Sequence, residues 1–417
     1  MLIEFIDRLE LFLPFYLMTH LQYHIFSRKT RACPYKNKTN MEATMSKTKI
    51  EFLYLDEEDM IKAGVLDMPK CVETIDEMFR VMGSGDYLMG GIHENDHGLM
   101  LFFPPVPRSP QMPKQGPDRR FMAMPAYLGG RFYACGNKWY GSNRANLEKG
   151  LPRSILTMML NDVDTGAPLA LMSANLMSST RTGAVPGVAT KYLQKSNASI
   201  IGIIGAGYIS HSCAEAILCT IKNKGEVRVY DIFQEKSVAF CEEMQAKTGV
   251  KFVPVKTLEE AVKGCDIVSI AASGAHPVEV KDEWITPGTV LELTGAASLS
   301  AAAYQKSRIV FDNWMMHQEF VYQMRYMPEL LPGTTHITAP ELCQAVIDGV
   351  VDETSILSLS DIVANSELGR KNDDEVFIFV TGGMPTEDVA WGKTCYDRAV
   401  KLGIGQTLKL WDEPYRK

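Results

Sequence analysis

The stretch from Ser199 to Asp231, SIIGIIGAGYISHSCAEAILCTIKNKGEVRVYD, constrains this chain more than any other. It opens with an apolar run of strand length and passes through Gly205-Ala206-Gly207. From Tyr208 it continues as a helical pattern with Ile209, Cys213, Ile217 and Ile221 at four-residue spacing. A second apolar run, Val227 to Tyr230, ends on Asp231. Strand, glycine turn, helix and strand in this order make up a parallel α/β unit.

Each part has a use if a dinucleotide binds here. Gly205 makes the tight turn, Gly207 lets the backbone approach a pyrophosphate, and the helix start offers free N–H groups and a positive dipole end. Gly205, Ala206, Gly207, Tyr208 and Ile209 are therefore the expected phosphate-binding residues. Ser210 occupies the third position of the glycine fingerprint, where a small side chain still fits. Asp231 suits an acceptor for a ribose 2′-OH, which favours NAD over NADP. A buried strand with an ordinary turn would explain the glycines alone, but not the helix and acid that follow them.

The rest of the chain supplies the setting. Its 417 residues, 46% hydrophobic and 22% charged, suit a globular protein with two domains. A net charge of -7 with no basic stripe argues against a nucleic-acid partner. Nine scattered cysteines without a C-x-x-C pair point to free thiols in a reducing, cytoplasmic setting. Ile3 to Phe26 is apolar but interrupted by Asp7, Arg8, Glu10, His20 and His24, a poor membrane span. Residues 1–44 are expected to lie outside the fold, with Met45 as a candidate start; a membrane-associating or targeting helix is the alternative.

Between Leu53 and Gly85 the pattern predicts a short strand and helices, with Asp56 as an N-cap. Strands are expected over 121–127, 131–140, 155–162 and 168–173, separated by turn signals, as an antiparallel meander. On the second of these, Phe132, Ala134, Gly136 and Lys138 share a face. Lys138 either snorkels to water or keeps a partly desolvated amine for acid/base work or for an anionic substrate, with Gly136 and Gly141 leaving room for a ligand. A helix follows over 175–193, capped by Ser178 or Ser179, which puts Arg181 near its first turn. There Arg181 either binds a carboxylate at the helix start or is a solvated surface residue. Beyond Asp231 helices and strands alternate, and the strand ends at Ser273 and Gly295 lie where open parallel sheets hold ligands. Strand-like sequence returns at 356–362 and 375–380, before a helix over 386–402.

In order along the chain stand Met124-Pro125-Ala126, Gly136-Asn137-Lys138, LALMSANLMSSTRTGA around Arg181-Thr182, Gly205-Ala206-Gly207 and FVTGGMPTEDVAW. This succession resembles the ornithine cyclodeaminase/mu-crystallin family over most of the chain. The long form, with DRRFMAMPAYLGG and NKWYGSN, is most like the branch of amino-acid dehydrogenases that make siderophore precursors.

The resemblance implies an α/β fold. A Rossmann-type doubly wound parallel sheet over residues 181–375 would bind NAD, inside a split α+β substrate-binding and dimerisation domain formed by 45–180 and 376–417. It implies a homodimer, and a substrate carboxylate held by Lys138 and Arg181, with Lys138 near the reacting C–N bond. It also implies a second arginine from the first hairpin: Arg120, or else Arg119 or Arg108. Thr182 would lie at the cofactor. Cyclodeaminases carry an aspartate after the glycine that corresponds to Gly295, and a glutamate three positions before the Met-Pro proline. This chain has Ala297 in that region and Met122 at the second position, with no other acid evident to position a diamine.

The expectation is an NAD(H)-dependent oxidoreductase acting on the C–N bond of an amino acid, imine or opine-like substrate. A cyclodeaminase-type lyase using bound NAD without net redox change is the first alternative, and a non-enzymatic small-molecule binder like mu-crystallin the second.

Overall fold

The computed structural model describes residues 48–274, 276–326 and 338–416. The expected extension 1–44 and the end of the helix expected over 319–331 lie outside the described residues. In chain order, seven strands come first: β1 (Ile50–Leu55), β2 (Tyr87–Met89), β3 (Leu99–Phe102), β4 (Arg120–Leu128), β5 (Ala134–Ser142), β6 (Ser154–Asp162) and β7 (Pro168–Ser173). Next are β8 (Ile200–Ile204), β9 (Glu226–Tyr230), β10 (Lys251–Pro254), β11 (Ile267–Ile270), β12 (Val278–Glu279), β13 (Val290–Leu293), β14 (Ala297–Ser298), β15 (Arg308–Phe311), β16 (Leu357–Ser358) and β17 (Phe377–Val380). The last strand, β18 (Gln406–Trp411), returns to pair with β1.

The first sheet has the order β18-β1-β7-β6-β5-β4-β2, with β3 also on β4, and contains the expected antiparallel meander. Alternation along β4, β5 and β6 gives it two different faces. Met122, Met124, Gly136, Lys138, Met158 and Leu160 turn inward, where the helix Pro385–Leu402 packs. Phe121, Trp139, Ile155 and Met159 turn outward.

The second sheet is parallel, in the order β10-β9-β8-β11-β13-β17-β15-β16. Its central strands are buried along their length, as a sheet covered on both faces requires. The order reverses between β8 and β11, and such switch points open the crevice where doubly wound sheets bind ligands.

The helix Asn175–Leu193 joins the two halves. Asn175 accepts from the Leu156 amide at 2.9 Å and donates to the Ser154 carbonyl at 2.8 Å, which ties the helix start to β6. Thr190 near the other end donates to the buried Glu292 carboxyl on β13 at 2.8 Å. The expected cap at Ser178 or Ser179 is therefore corrected. The helix begins at Asn175 after Ala174, without a side-chain cap, and Arg181 falls in its second turn.

Two further expectations change. The run 356–362 is not a strand beyond β16, because a capping box between Ser358 and Asp361 starts the helix Leu359–Ala364. The strand expected at 375–380 forms as β17, but it sits between β13 and β15 in the parallel sheet. The chain thus leaves the second sheet after Val380 rather than at 376.

Candidate active site

Lys138 comes to the cavity because of strand parity. It lies on the inner face of β5, and the first turn of the helix Pro385–Leu402 packs over that face. Pro385 opens this helix, and Glu387 and Asp388 follow in its first turn, where the positive dipole end favours acids. Lys138 Nζ lies 2.7 Å from Asp388 Oδ2. Arg181 Nε donates to Asp388 Oδ1 at 2.8 Å, and its NH1 donates to Glu387 Oε2 at 2.5 Å. Both acids are fully buried, and Lys138 is only 2% exposed, so the lysine does not snorkel to water.

Burial at this depth and the pairing within the cluster shift Lys138, Glu387 and Arg181 from their ordinary values. Desolvation, reinforced by the Arg181 charge, pulls the Lys138 amine down to about 8, and Asp388 limits the fall. Desolvation pushes the Glu387 carboxyl up to about 8 against the opposing pull of Arg181. Desolvation opposes the Arg181 charge as well, but Asp388 and Glu387 outweigh it and raise its pKa. Near neutral pH Glu387 thus keeps its proton while Lys138 and Arg181 are charged, and Asp388 pairs with both cations. Two cations thus share the Asp388 carboxyl, which leaves guanidinium donors for a carboxylate ligand.

A cavity of about 1040 Å³ opens on this cluster. Lys138, Arg120, Arg181, Thr182, Tyr208 and Ile209 all line it, so residues read from distant parts of the sequence meet at one place. Of the three hairpin arginines, Arg120 reaches the cavity. It is paired with Asp118, its Nε is buried without a partner, and its guanidinium lies 6.0 Å from the Tyr140 ring centre. Arg119 instead donates to the Lys114 carbonyl at 3.1 Å and packs over Phe103, and Arg108 is exposed outside the cavity.

The glycines near Lys138 do not leave room for a ligand, contrary to expectation. A β-carbon on Gly136 would meet the Met158 side chain at 2.5 Å, and one on Gly141 would meet Phe121 at 2.9 Å. Their smallness lets the sheet and its neighbours pack closely.

The glycine turn has the features a pyrophosphate needs. Gly205 adopts a φ of 94° with its Cα face against Ala272, while a side chain at Gly207 would point into open space. The helix Tyr208–Thr220 begins without a side-chain cap, which leaves its first N–H groups open. Asp231 closes the turn by accepting from the Ala206 amide at 2.8 Å and the Phe233 amide at 2.9 Å. A carboxylate has further lone pairs, so these two bonds leave capacity for a ribose hydroxyl. Ser273 is exposed just beyond β11, whereas a β-carbon on Gly295 would lie 2.6 Å from the Ala272 carbonyl oxygen. Gly205, Ala206, Gly207, Asp231, Ser273 and Gly295 do not line this cavity; they lie around the adjoining turn and strand ends.

Four groups escaped sequence reasoning: Glu387, Asp388, His97 and Arg153. Arg153 also lines the cavity, with Nε 3.3 Å from Asp118. The available signal for the acid pair was its position just after Pro385-Thr386 and before the apolar Val389-Ala390-Trp391, which marks a helix start entering the core.

With this fold and site, the chain belongs to the ornithine cyclodeaminase/mu-crystallin family, whose family model matches residues 65–403. It is 33% identical over 298 residues to an alanine dehydrogenase of Archaeoglobus fulgidus, covering 69% of this chain and 83% of the relative. It is 26% identical over 366 residues to the N-((2S)-2-amino-2-carboxyethyl)-L-glutamate dehydrogenase of Staphylococcus aureus, covering 87% of this chain and 99% of that protein. Among solved structures, the Δ1-pyrroline-2-carboxylate reductase of Thermococcus litoralis, in complex with NADH and L-proline, superposes with a TM-score of 0.70. The two share 28% identity over 85% of this chain and 99% of that one.

Asp388→Asn removes the shared counter-charge of two buried cations, and the expected loss is about 3–5 kcal/mol. Chemical denaturation checks this, and a stability within about 0.5 kcal/mol of wild type would contradict the buried pairing.

Proposed function

We propose that this chain is an NAD(H)-dependent oxidoreductase that interconverts an amino acid or secondary amine and its imine at the carbon bonded to nitrogen. The observation that carries this reading is the buried Lys138–Asp388–Arg181–Glu387 cluster opening on a cavity that also reaches the helix start after the glycine turn. The nicotinamide, when bound, supplies or receives the hydride.

The chain's own residues bind, orient and move a proton. Arg120 and Arg181 hold the substrate carboxylate, with spare guanidinium N–H donors beyond those paired to acids. Lys138, with its amine near 8, takes a proton from the substrate nitrogen during oxidation and returns it during reduction. Asp388 positions both cations, and water is kept from the cluster by its burial. Gly205, Ala206, Gly207, Tyr208, Ile209, Asp231, Thr182, Ser273 and Gly295 make up the dinucleotide side of the site, and Asp231 favours NAD(H). The substrate-binding part comprises residues 45–180 and the chain beyond Val380; the dinucleotide part comprises the stretch between them.

The outer face of the first sheet supports a homodimer. Leu99, Trp139 and Ile155 are 78%, 47% and 51% exposed, and Phe121 stacks on Trp139 with ring centres 5.9 Å apart. Soluble monomers rarely leave a contiguous apolar face of this kind in water. A second copy covering it accounts for the pattern. Trp139→Glu is expected to shift the protein from dimer to monomer by light scattering; a wild-type monomer would contradict the assignment.

The eight described cysteines are all free, which fits the reducing cytoplasm. Among the described residues no helix is long and apolar enough to cross a membrane.

A screen of amino acids, cyclic imines, and keto acids paired with amines, run with NADH and NADPH, tests the function. Turnover is expected with NADH preferred, and the oxidation rate should climb as pH rises through about 8, where Lys138 loses its proton. Lys138→Met should lower turnover by at least about 10²-fold with NADH binding retained. Unchanged turnover in that variant would remove Lys138 from the chemistry.

A further inference from the structure

His97 lines the same cavity as Lys138 and Arg181, and the mechanism above gives it no role. Its ring leans against Phe320 with centres 6.1 Å apart, and Nδ1 is enclosed without a hydrogen-bond partner. That arrangement leaves Nε2 as the nitrogen available to a ligand.

The segment carrying His97 is held firmly from both sides. Gly98 presses against β4 so closely that a β-carbon would lie 2.6 Å from the Ala123 carbonyl oxygen. The Asp96 amide donates to the Gly90 carbonyl at 2.9 Å. Asn95, almost fully buried, accepts from the Tyr87 hydroxyl and from Asn313 Nδ2, each at 2.9 Å. Asn313 follows Asp312, whose carboxylate accepts the Gly382 amide at 2.6 Å and the Gly383 amide at 3.1 Å. The guanidinium of Arg181 lies against Gly383. The brace behind Arg181 therefore also fixes His97, and a contact made by His97 is preorganised.

Charge decides what kind of contact that is. Desolvation, with the Lys138 and Arg181 charges added, holds the imidazole down at about 3, so it is neutral at working pH. It cannot act as another cation for the carboxylate. The two cations instead favour the tautomer whose lone pair faces the cavity, with the proton on the enclosed Nδ1. Asp388 is already engaged by Lys138 and Arg181, and Glu387 is engaged by Arg181 through Oε2, while its Oε1 is enclosed without a partner where the retained proton can sit. A substrate amine carries further N–H groups besides the one that faces Lys138, and these still need an acceptor.

We infer that His97 Nε2 accepts a hydrogen bond from the substrate's N–H and so makes the site prefer a nitrogen-bearing substrate over the corresponding keto acid. This rests on the proposed function, because it assumes that an amino acid occupies the cavity.

Dissociation constants for L-alanine, L-proline and pyruvate, measured with NAD⁺ saturating, test it in wild type, His97→Phe and His97→Gln. Phenylalanine keeps a ring against Phe320, and glutamine keeps an acceptor near the place of Nε2. His97→Phe should bind the amino acids about tenfold more weakly, with pyruvate within about twofold, and His97→Gln should stay within about threefold for all three. Equal weakening of amino acids and pyruvate in His97→Phe, or no weakening, would overturn the role of His97. Wild type that binds none of the three would overturn the proposed function itself, and the role of His97 with it.

Discussion

The site depends on one electrostatic arrangement: two cations and two acids taken out of water together. Lys138 and Arg181 could not remain charged in the core alone, because an unpaired buried charge costs several kcal/mol. Asp388 serves both of them, and Glu387 serves Arg181 while keeping a proton of its own near neutral pH. The result is a rigid, slightly cationic wall rather than a set of mobile surface charges. A Lys138 amine near 8 follows from the same burial, and places it where one group can both take and return a proton.

Two sheets meet to make this wall useful. The antiparallel meander of the first sheet supplies Lys138 and Arg120 by strand parity, and the parallel sheet supplies a glycine turn at its switch point. The helix Asn175–Leu193 links them, anchored to β6 at one end and to Glu292 at the other, and carries Arg181 and Thr182 to the cavity. Asp312 completes the connection by holding the turn at Gly382 and Gly383 against Arg181. Mutations far from the cavity along this line are therefore expected to reach the chemistry through geometry.

The parts of the site visible in the sequence were those with local causes. Strand, turn, helix and the closing Asp231 are consecutive, so their pattern needs no knowledge of the fold. Lys138 could be placed on an apolar face because side chains alternate along a strand. The acid pair was hidden because an acid at a helix start is ordinary, and its burial comes from packing on β5, far away in sequence. The start of the helix at Asn175 was missed for a related reason: its contacts with β6 outweigh the local preference of Ser178 and Ser179 for a cap. At 356–362 alternation suggested a strand, and the Ser358–Asp361 capping box prevailed. The glycines beside Lys138 were misread because a small residue looks the same whether it makes room for a ligand or for a neighbouring side chain.

The central claim is that hydride moves between the cofactor and the carbon that bears nitrogen. Reaction with NADH deuterated at the transferable position, supplied with Δ1-pyrroline-2-carboxylate and with keto acid–amine pairs, tests this directly by mass spectrometry and NMR of the product. Deuterium is expected on the carbon bonded to nitrogen, in step with NADH consumed. Release of ammonia from ornithine, with the labelled NADH neither consumed nor depleted of deuterium, would contradict it and identify a lyase.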